Sequence, residues 1–97
     1  MRLQILTPEA IQLKAEQVTA VRAMLTDGPI TILPGHAPLI GNLCASVLSY
    51  TDGTGTHQVE TDQGILRVQR EGVTILTGSL QPKRAKESGA EQRTREP

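Results

Sequence analysis

Gly64-Ile65-Leu66-Arg67-Val68-Gln69-Arg70-Glu71-Gly72-Val73-Thr74-Ile75-Leu76-Thr77 is the stretch that decides the fold. Gly64 punctuates its start, and residues 65–69 then form a short run rich in branched aliphatics. Glu71-Gly72 makes a tight turn into a second such run at 73–77. Two β-prone runs joined by a glycine turn read as a hairpin.

The same pattern continues outward in both directions. Towards the N-terminus, residues 56–62 are polar and β-prone, with Val59 as their single large apolar residue, so an exposed or edge strand is expected there. Asp52-Gly53-Thr54-Gly55 is a hairpin loop, and residues 45–51 before it form a strand to which Val47 and Leu48 give the core side chains. Ile30-Thr31-Ile32-Leu33 is a short β-branched run between the turn signals Asp27-Gly28-Pro29 and Pro34-Gly35. Residues 17–25 carry Val18, Val21, Ala23 and Leu25, and the change of face between Val18 and Val21 implies a bulge or cover on both faces. Residues 8–17 open like a helix with Pro8 and Glu9, but Ile11 and Leu13 alternate, so a strand is expected. Leu3 and Ile5 share one face of a first strand that ends at Pro8. The total is eight to ten short strands, spaced as an all-β sandwich or barrel requires.

The character changes after Leu80. Residues 81–97 contain no Val, Ile, Leu or aromatic residue. Such a segment cannot bury enough apolar area to offset the entropy of ordering. Residues 1–80 are therefore read as one β domain and 81–97 as a disordered polar tail.

Composition removes several function classes. Ten Lys+Arg balance ten Asp+Glu, so the basic excess that pairs with nucleic-acid phosphates is missing. Tyr50 is the sole aromatic residue, which leaves no base-stacking platform. No apolar run approaches the ~18 residues of a membrane span, and no basic-then-apolar leader opens the chain, so membrane contact is expected through a partner. Cys44 is alone, which rules out an internal disulfide, and its apolar setting reads as a small buried hydrophobe.

Catalytic signals are weak. His36 and His57 each lack a second ligand at metal spacing. Ser46, Ser49 and Ser79 sit in no nucleophile-elbow pattern, and no phosphate-binding glycine loop is present. No catalytic residue, metal site or cofactor is expected. A small hydrolase built on His36 or His57 is the remote reading. A stand-alone β-sandwich that takes a ligand or peptide on an edge such as residues 56–62 is the stronger alternative.

The informative segment is Leu33-Pro34-Gly35-His36-Ala37-Pro38-Leu39-Ile40. Pro34 and Pro38 fix φ, and Gly35 opens a backbone region closed to other residues. The expected result is a stiff loop presenting His36 and Ala37, anchored by Leu33 and Leu39. A stiff loop loses little entropy on docking. The same features also suit a plain connection between sheets.

This segment, extended back to Asp27, resembles the epsilon subunit family of F-type ATP synthases, whose N-terminal β-sandwich carries a Pro-Gly-His-Ala-Pro-Leu stretch here. Leu6-Thr7-Pro8-Glu9, Val18-Thr19-Ala20-Val21, Gly64-Ile65-Leu66-Arg67-Val68 and Val73-Thr74-Ile75-Leu76 resemble family strands in the same order. The resemblance implies a two-sheet β-sandwich of about ten strands in residues 1–80. The two C-terminal helices usual in the family have no counterpart in residues 81–97, so inhibition of hydrolysis or ATP binding by those helices is not carried over. It implies a non-catalytic rotor subunit of the central stalk, peripheral at the cytoplasmic face of a bacterial inner membrane. One side would pack on the gamma subunit, and a loop would face the membrane c-ring. The contact residues so implied are Pro29, Ile30, Thr31, Pro34, Gly35, His36, Ala37, Pro38 and Leu39. The family usually has an acidic residue and a glycine where Pro29 and Thr31 stand, and Ser-Gly-Gly at Asp62-Gln63-Gly64. Short chains with these departures resemble those of the alternate, sodium-type N-ATPases.

Overall fold

Alternating side chains become ten strands. They are β1 (Arg2–Leu6), β2 (Ile11–Ala15), β3 (Ala20–Leu25), β4 (Gly28–Ile32), β5 (Leu39–Leu43), β6 (Ser46–Asp52), β7 (Gly55–Thr61), β8 (Gly64–Val68), β9 (Gly72–Thr77) and β10 (Leu80–Pro82). The computed structural model of the chain describes residues 1–82.

Hydrogen-bonded neighbours run β10-β7-β6-β3-β5-β8-β9-β1-β2, with β4 on the free side of β3. Every pairing is antiparallel except that of β1 with β9. The path is pinched between β3 and β5, which share the single pair Leu25↔Leu43. Two further bonds hold that corner: Cys44 N–H to Met24 C=O at 2.9 Å and Thr26 N–H to Asn42 C=O at 2.9 Å. There the sheet folds over itself. One layer is β4-β3-β6-β7-β10 and the other is β5-β8-β9-β1-β2. The two sheets expected from the sequence are thus layers of one continuous ten-stranded sheet.

The core lies between the layers and is aliphatic. Leu3, Ile5, Leu66 and Ile75 from the second layer meet Val21, Ile32 and Leu48 from the first, each with no exposed area. Each such side chain contributes about 1.5–3 kcal/mol by leaving water. Gly64 is required by close approach, because a Cβ there would run into the Leu76 carbonyl of β9.

Several expectations are refined. Residues 11–15 do form a strand. Val18 and Val21 are both fully buried without a bulge, because Val18 lies in the connection before β3 and Val21 within β3. Gln17 takes φ 55°, and Val18 exchanges backbone bonds with Met1 at 2.8 and 2.9 Å. The turn expected at Asp27-Gly28-Pro29 lies one residue earlier, so Pro29 sits inside β4. A strand paired on one side tolerates the missing N–H. Val47 points outward at 39% exposure, and Leu48 alone of that pair enters the core. Cys44 is half-buried rather than buried.

The strand expected at 56–62 to be exposed or at an edge is flanked on both sides over part of its length. β6 pairs it throughout, and β10 covers Val59, Glu60 and Thr61. This removes much of the edge on which a peptide-binding reading would draw. β10 also carries the sheet to Pro82, two residues past the boundary set at Leu80. The remainder of the expected disordered tail lies outside the described residues.

Candidate functional site

Residues 33–38 carry the chain from β4 in one layer to β5 in the other, at one end of the sandwich. His36 N–H donates to Leu33 C=O at 3.0 Å. Pro34 and Gly35 occupy the two central positions, and Gly35 has φ 88°. Proline second and a positive-φ glycine third define a type II turn. His36 Nδ1–H donates to the Ala37 carbonyl at 2.7 Å, which ties the turn to the residues that follow. A carbonyl can only accept, so this bond sets which ring nitrogen carries the proton.

The loop is the sheet crossing, and its tip is exposed. Pro34, Gly35, Ala37 and Pro38 face solvent, while His36 is half-buried. Pro29 and Thr31 are exposed on the outer face of β4, and Ile30 packs against the core. The anchors differ from those expected. Leu33 is 54% exposed, and fully buried Ile32 holds the loop's start in its place. Leu39 packs against the core from the other side, as expected.

The histidines are not brought to a common site. His36 lies in this loop, and His57 lies in the β6–β7 hairpin. The hairpin turn is Gly53-Thr54, closed by the pair Asp52↔Gly55. Asp52 Oδ1 accepts from Thr54 N–H at 2.8 Å and from Thr54 Oγ1–H at 2.7 Å. His57 Nε2 lies 3.1 Å from the same oxygen and 2.9 Å from Thr54 Oγ1. The Thr54 bonds, first that of its hydroxyl and then that of its amide, pull the Asp52 carboxyl down to about 2, with His57 adding to the shift. The Tyr50 ring sits 5.0 Å from the His57 ring, and its hydroxyl is pushed up by burial and by the Asp52 charge. This constellation closes a turn. Ser46 Oγ–H is spent on the Cys44 carbonyl, and among the described residues no serine hydroxyl bonds a histidine. Among the described residues no group of three His, Cys, Asp or Glu could hold a metal ion. No helix among them is long and apolar enough to cross a membrane.

Sequence reasoning missed a second feature. Ile11, Leu33, Ile40, Ile65 and Leu76 are 44–68% exposed. The adjacent pairs Ile65-Leu66 and Ile75-Leu76 were the available signal, since in a strand one of two neighbours must face outward.

A family model described as the β-sandwich domain of the ATP synthase delta/epsilon chain matches residues 1–83. The ATP synthase epsilon chain of Solibacter usitatus is 37% identical over 76 residues, which are 78% of this chain and 56% of that one. The chain spans little more than half the length of the curated relatives it matches. Two solved structures share the fold. A chain of the Euglena gracilis mitochondrial ATP synthase (OSCP/F1/c-ring) superposes with TM-score 0.77 at 23% identity, over 97% of this chain and 67% of that chain. A chain of the Tetrahymena thermophila mitochondrial ATP synthase (central stalk/c-ring) gives 0.70 at 16%, over 98% and 74%. The match over residues 1–83 takes in every strand and the loop between the layers, and it shows that the chain belongs to the ATP synthase delta/epsilon chain family, whose β-sandwich domain it carries.

Proposed function

We propose that the chain is a non-catalytic central-stalk subunit of an F-type ATP synthase, coupling the gamma subunit to the membrane c-ring. The observation that carries this is the family match, which takes in the loop at 33–38 together with the strands that hold it. The two structural neighbours are chains of ATP synthase assemblies, one of OSCP/F1/c-ring and the other of central stalk/c-ring, in keeping with this reading.

The loop supplies the means. A rotor contact must transmit torque without yielding. The Leu33–His36 turn bond and fixed Pro34 already hold the tip in one shape, so little entropy is lost when it docks. Pro29 and Thr31 extend the contact along β4, and Pro34, Gly35, Ala37 and Pro38 meet the polar loops of the c-ring. His36 braces the tip through Ala37, while Ile30 and Leu39 seat it on the core. The tightly packed aliphatic core resists deformation under load. The subunit then works peripherally at the cytoplasmic face of a bacterial inner membrane and performs no chemistry itself.

The test is affinity purification of a tagged chain from native membranes. Gamma and c-ring subunits are expected to co-purify. A chain that never associates with an ATPase complex would overturn the proposal.

A further inference from the structure

The β6–β7 hairpin gathers three donor atoms at one corner. The pairs Tyr50↔His57 and Asp52↔Gly55 set its register. Alternate residues of a strand share a face. Tyr50, Asp52 and His57 therefore stand on the face that buries Leu48 and Val59, just beyond the end of the core. Thr54 reaches the same corner from the turn. The fold back of the hairpin makes this meeting, so each histidine looks solitary along the chain.

The three atoms form a closed triangle. Thr54 Oγ1 lies 2.7 Å from Asp52 Oδ1 and 2.9 Å from His57 Nε2, and Nε2 lies 3.1 Å from Oδ1. Those edges decide which coordination they can serve. Ligands about 2.1 Å from a metal stand about 3.0 Å apart at the right angles of an octahedron, and about 3.4 Å apart at the corners of a tetrahedron. The triangle matches one face of an octahedron and is too tight for a tetrahedral site.

The chemistry of the donors narrows the ion. The Thr54 hydroxyl and amide bonds keep the Asp52 carboxyl ionised down to about pH 2, so a negative charge is always at hand. An imidazole nitrogen suits first-row transition cations, whereas Mg²⁺ and Ca²⁺ favour oxygen throughout. The Tyr50 ring lies 5.0 Å from the His57 ring and tilted by 32°, which limits how far the imidazole can turn. The His57 and Asp52 side chains are 39% and 20% exposed, so solvent reaches the triangle and water can complete a coordination shell. By contrast, His36 Nδ1 bonds to a backbone carbonyl and not to a carboxylate.

We propose that Asp52 Oδ1, Thr54 Oγ1 and His57 Nε2 form one face of a site for a six-coordinate divalent cation of the Mn²⁺, Co²⁺ or Ni²⁺ class, with water in the other three positions. Threonine supplies the third ligand where no third His, Cys, Asp or Glu stands. His57 binds as the neutral ring with its proton on Nδ1, so that Nε2 presents its lone pair. The Thr54 hydroxyl keeps its proton and turns it from Oδ1 towards solvent. The cation thus replaces hydrogen bonds by a three-armed link between β6, the turn and β7. Binding needs the unprotonated ring, so it weakens as acid protonates His57.

The test is titration of the purified full chain, carrying no polyhistidine tag and stripped of metal with a chelator, with Ni²⁺ at neutral pH. Calorimetry gives one ion per chain. Two-dimensional NMR shows paramagnetic broadening centred on residues 52–57, and the melting temperature rises with Ni²⁺ as it does for any ligand of the folded state. His57→Ala and Asp52→Asn each lower affinity by about 10-fold or more, and Thr54→Val lowers it by a smaller factor. His36→Ala leaves it unchanged. Mg²⁺ at the same concentration leaves the wild-type spectrum unchanged. The broadening locates the ion in the wild type, so the test stands even where a variant loosens the hairpin. Broadening centred on His36 would overturn the site. So would a His57→Ala chain that binds as tightly as wild type, or a wild type that takes up no Ni²⁺ at about 1 mM.

Discussion

Two exposed turns of this domain, the 33–38 loop and the Asp52–Gly55 hairpin, are made stiff by different means. The 33–38 loop uses covalent restriction: Pro34 fixes one torsion, Gly35 accepts φ 88°, and a single backbone bond closes the turn. The Asp52–Gly55 hairpin uses one carboxylate, whose Oδ1 collects the Thr54 amide and hydroxyl and lies within bonding distance of His57. The bond that closes the first runs between two backbone groups and involves no charge. The second can be dissolved by a single proton. A contact that must hold under load is better built in the first way, and that is where the proposed rotor contact lies.

The comparison breaks most completely if the support beneath the loop is removed. Ile32 has no exposed area and pairs with Val21 of β3. Ile32→Ala should cost about 2–5 kcal/mol from lost transfer energy and the cavity left behind. A urea unfolding midpoint measures the loss, and amide exchange should rise at His36 before it rises at Thr54. Equal loosening of both turns would mean that Ile32 supports the whole sandwich and not the loop in particular. Gly35→Ala acts on the turn itself. An L-residue held at positive φ should cost about 1–2 kcal/mol, and c-ring association should fall further than stability does. Retained association would separate the loop's shape from its proposed role.

How much of this was legible in the sequence can be argued from particular residues. The hairpins at Asp52–Gly55 and near Glu71-Gly72 were readable because short turns leave glycine signatures at fixed positions. Leu3 and Ile5 were readable as core because β1 alternates cleanly. The strand at 56–62 is an edge over its first part only, because β10, which covers Val59 to Thr61, comes from residues with almost no strand signal of their own. Pairing by a distant segment is a tertiary fact that local propensity does not carry. Leu33 was mistaken for an anchor because apolar character marks a candidate for burial, while the pleat decides which of two neighbours is buried. An apolar row across β8, β9, β1 and β2, made by Ile65, Leu76, Leu6 and Ile11, needed the registers of four strands and could not be assembled from a linear chain.

Smaller effects sharpen the contrast. Pro34→Ala should cost about 0.4–1 kcal/mol, chiefly through greater freedom of the unfolded chain. The loss should be the same at pH 7 and at pH 3, as thermal melts at the two values will show. A pH-dependent loss would show that the turn leans on the His36 ring, the titratable side chain within the loop, and not on Pro34 and Gly35 alone.

The hairpin should behave in the opposite way. The Asp52 carboxyl titrates near 2 in the fold, below its ordinary value of 3.8, because Thr54 bonds to its ionised form and His57 lies beside it. A depressed acid pKa means that the unfolded chain takes up the proton first, so the contribution is intact above about pH 4 and fades as pH falls towards 2. The group is solvent-exposed, and the effect belongs to the turn more than to the global fold. Carboxyl chemical shifts followed by NMR should give a midpoint near 2 for Asp52, and Thr54→Ala should raise it towards 3.8 by removing the hydroxyl bond. Protection of the Thr54 amide, taken relative to its intrinsic exchange rate at each pH, should fall over the same interval while that of His36 stays level. An Asp52 midpoint at the ordinary value would show that its bonds to Thr54 are too transient to hold the turn, and the two turns would then differ in stiffness as well as in how they are closed.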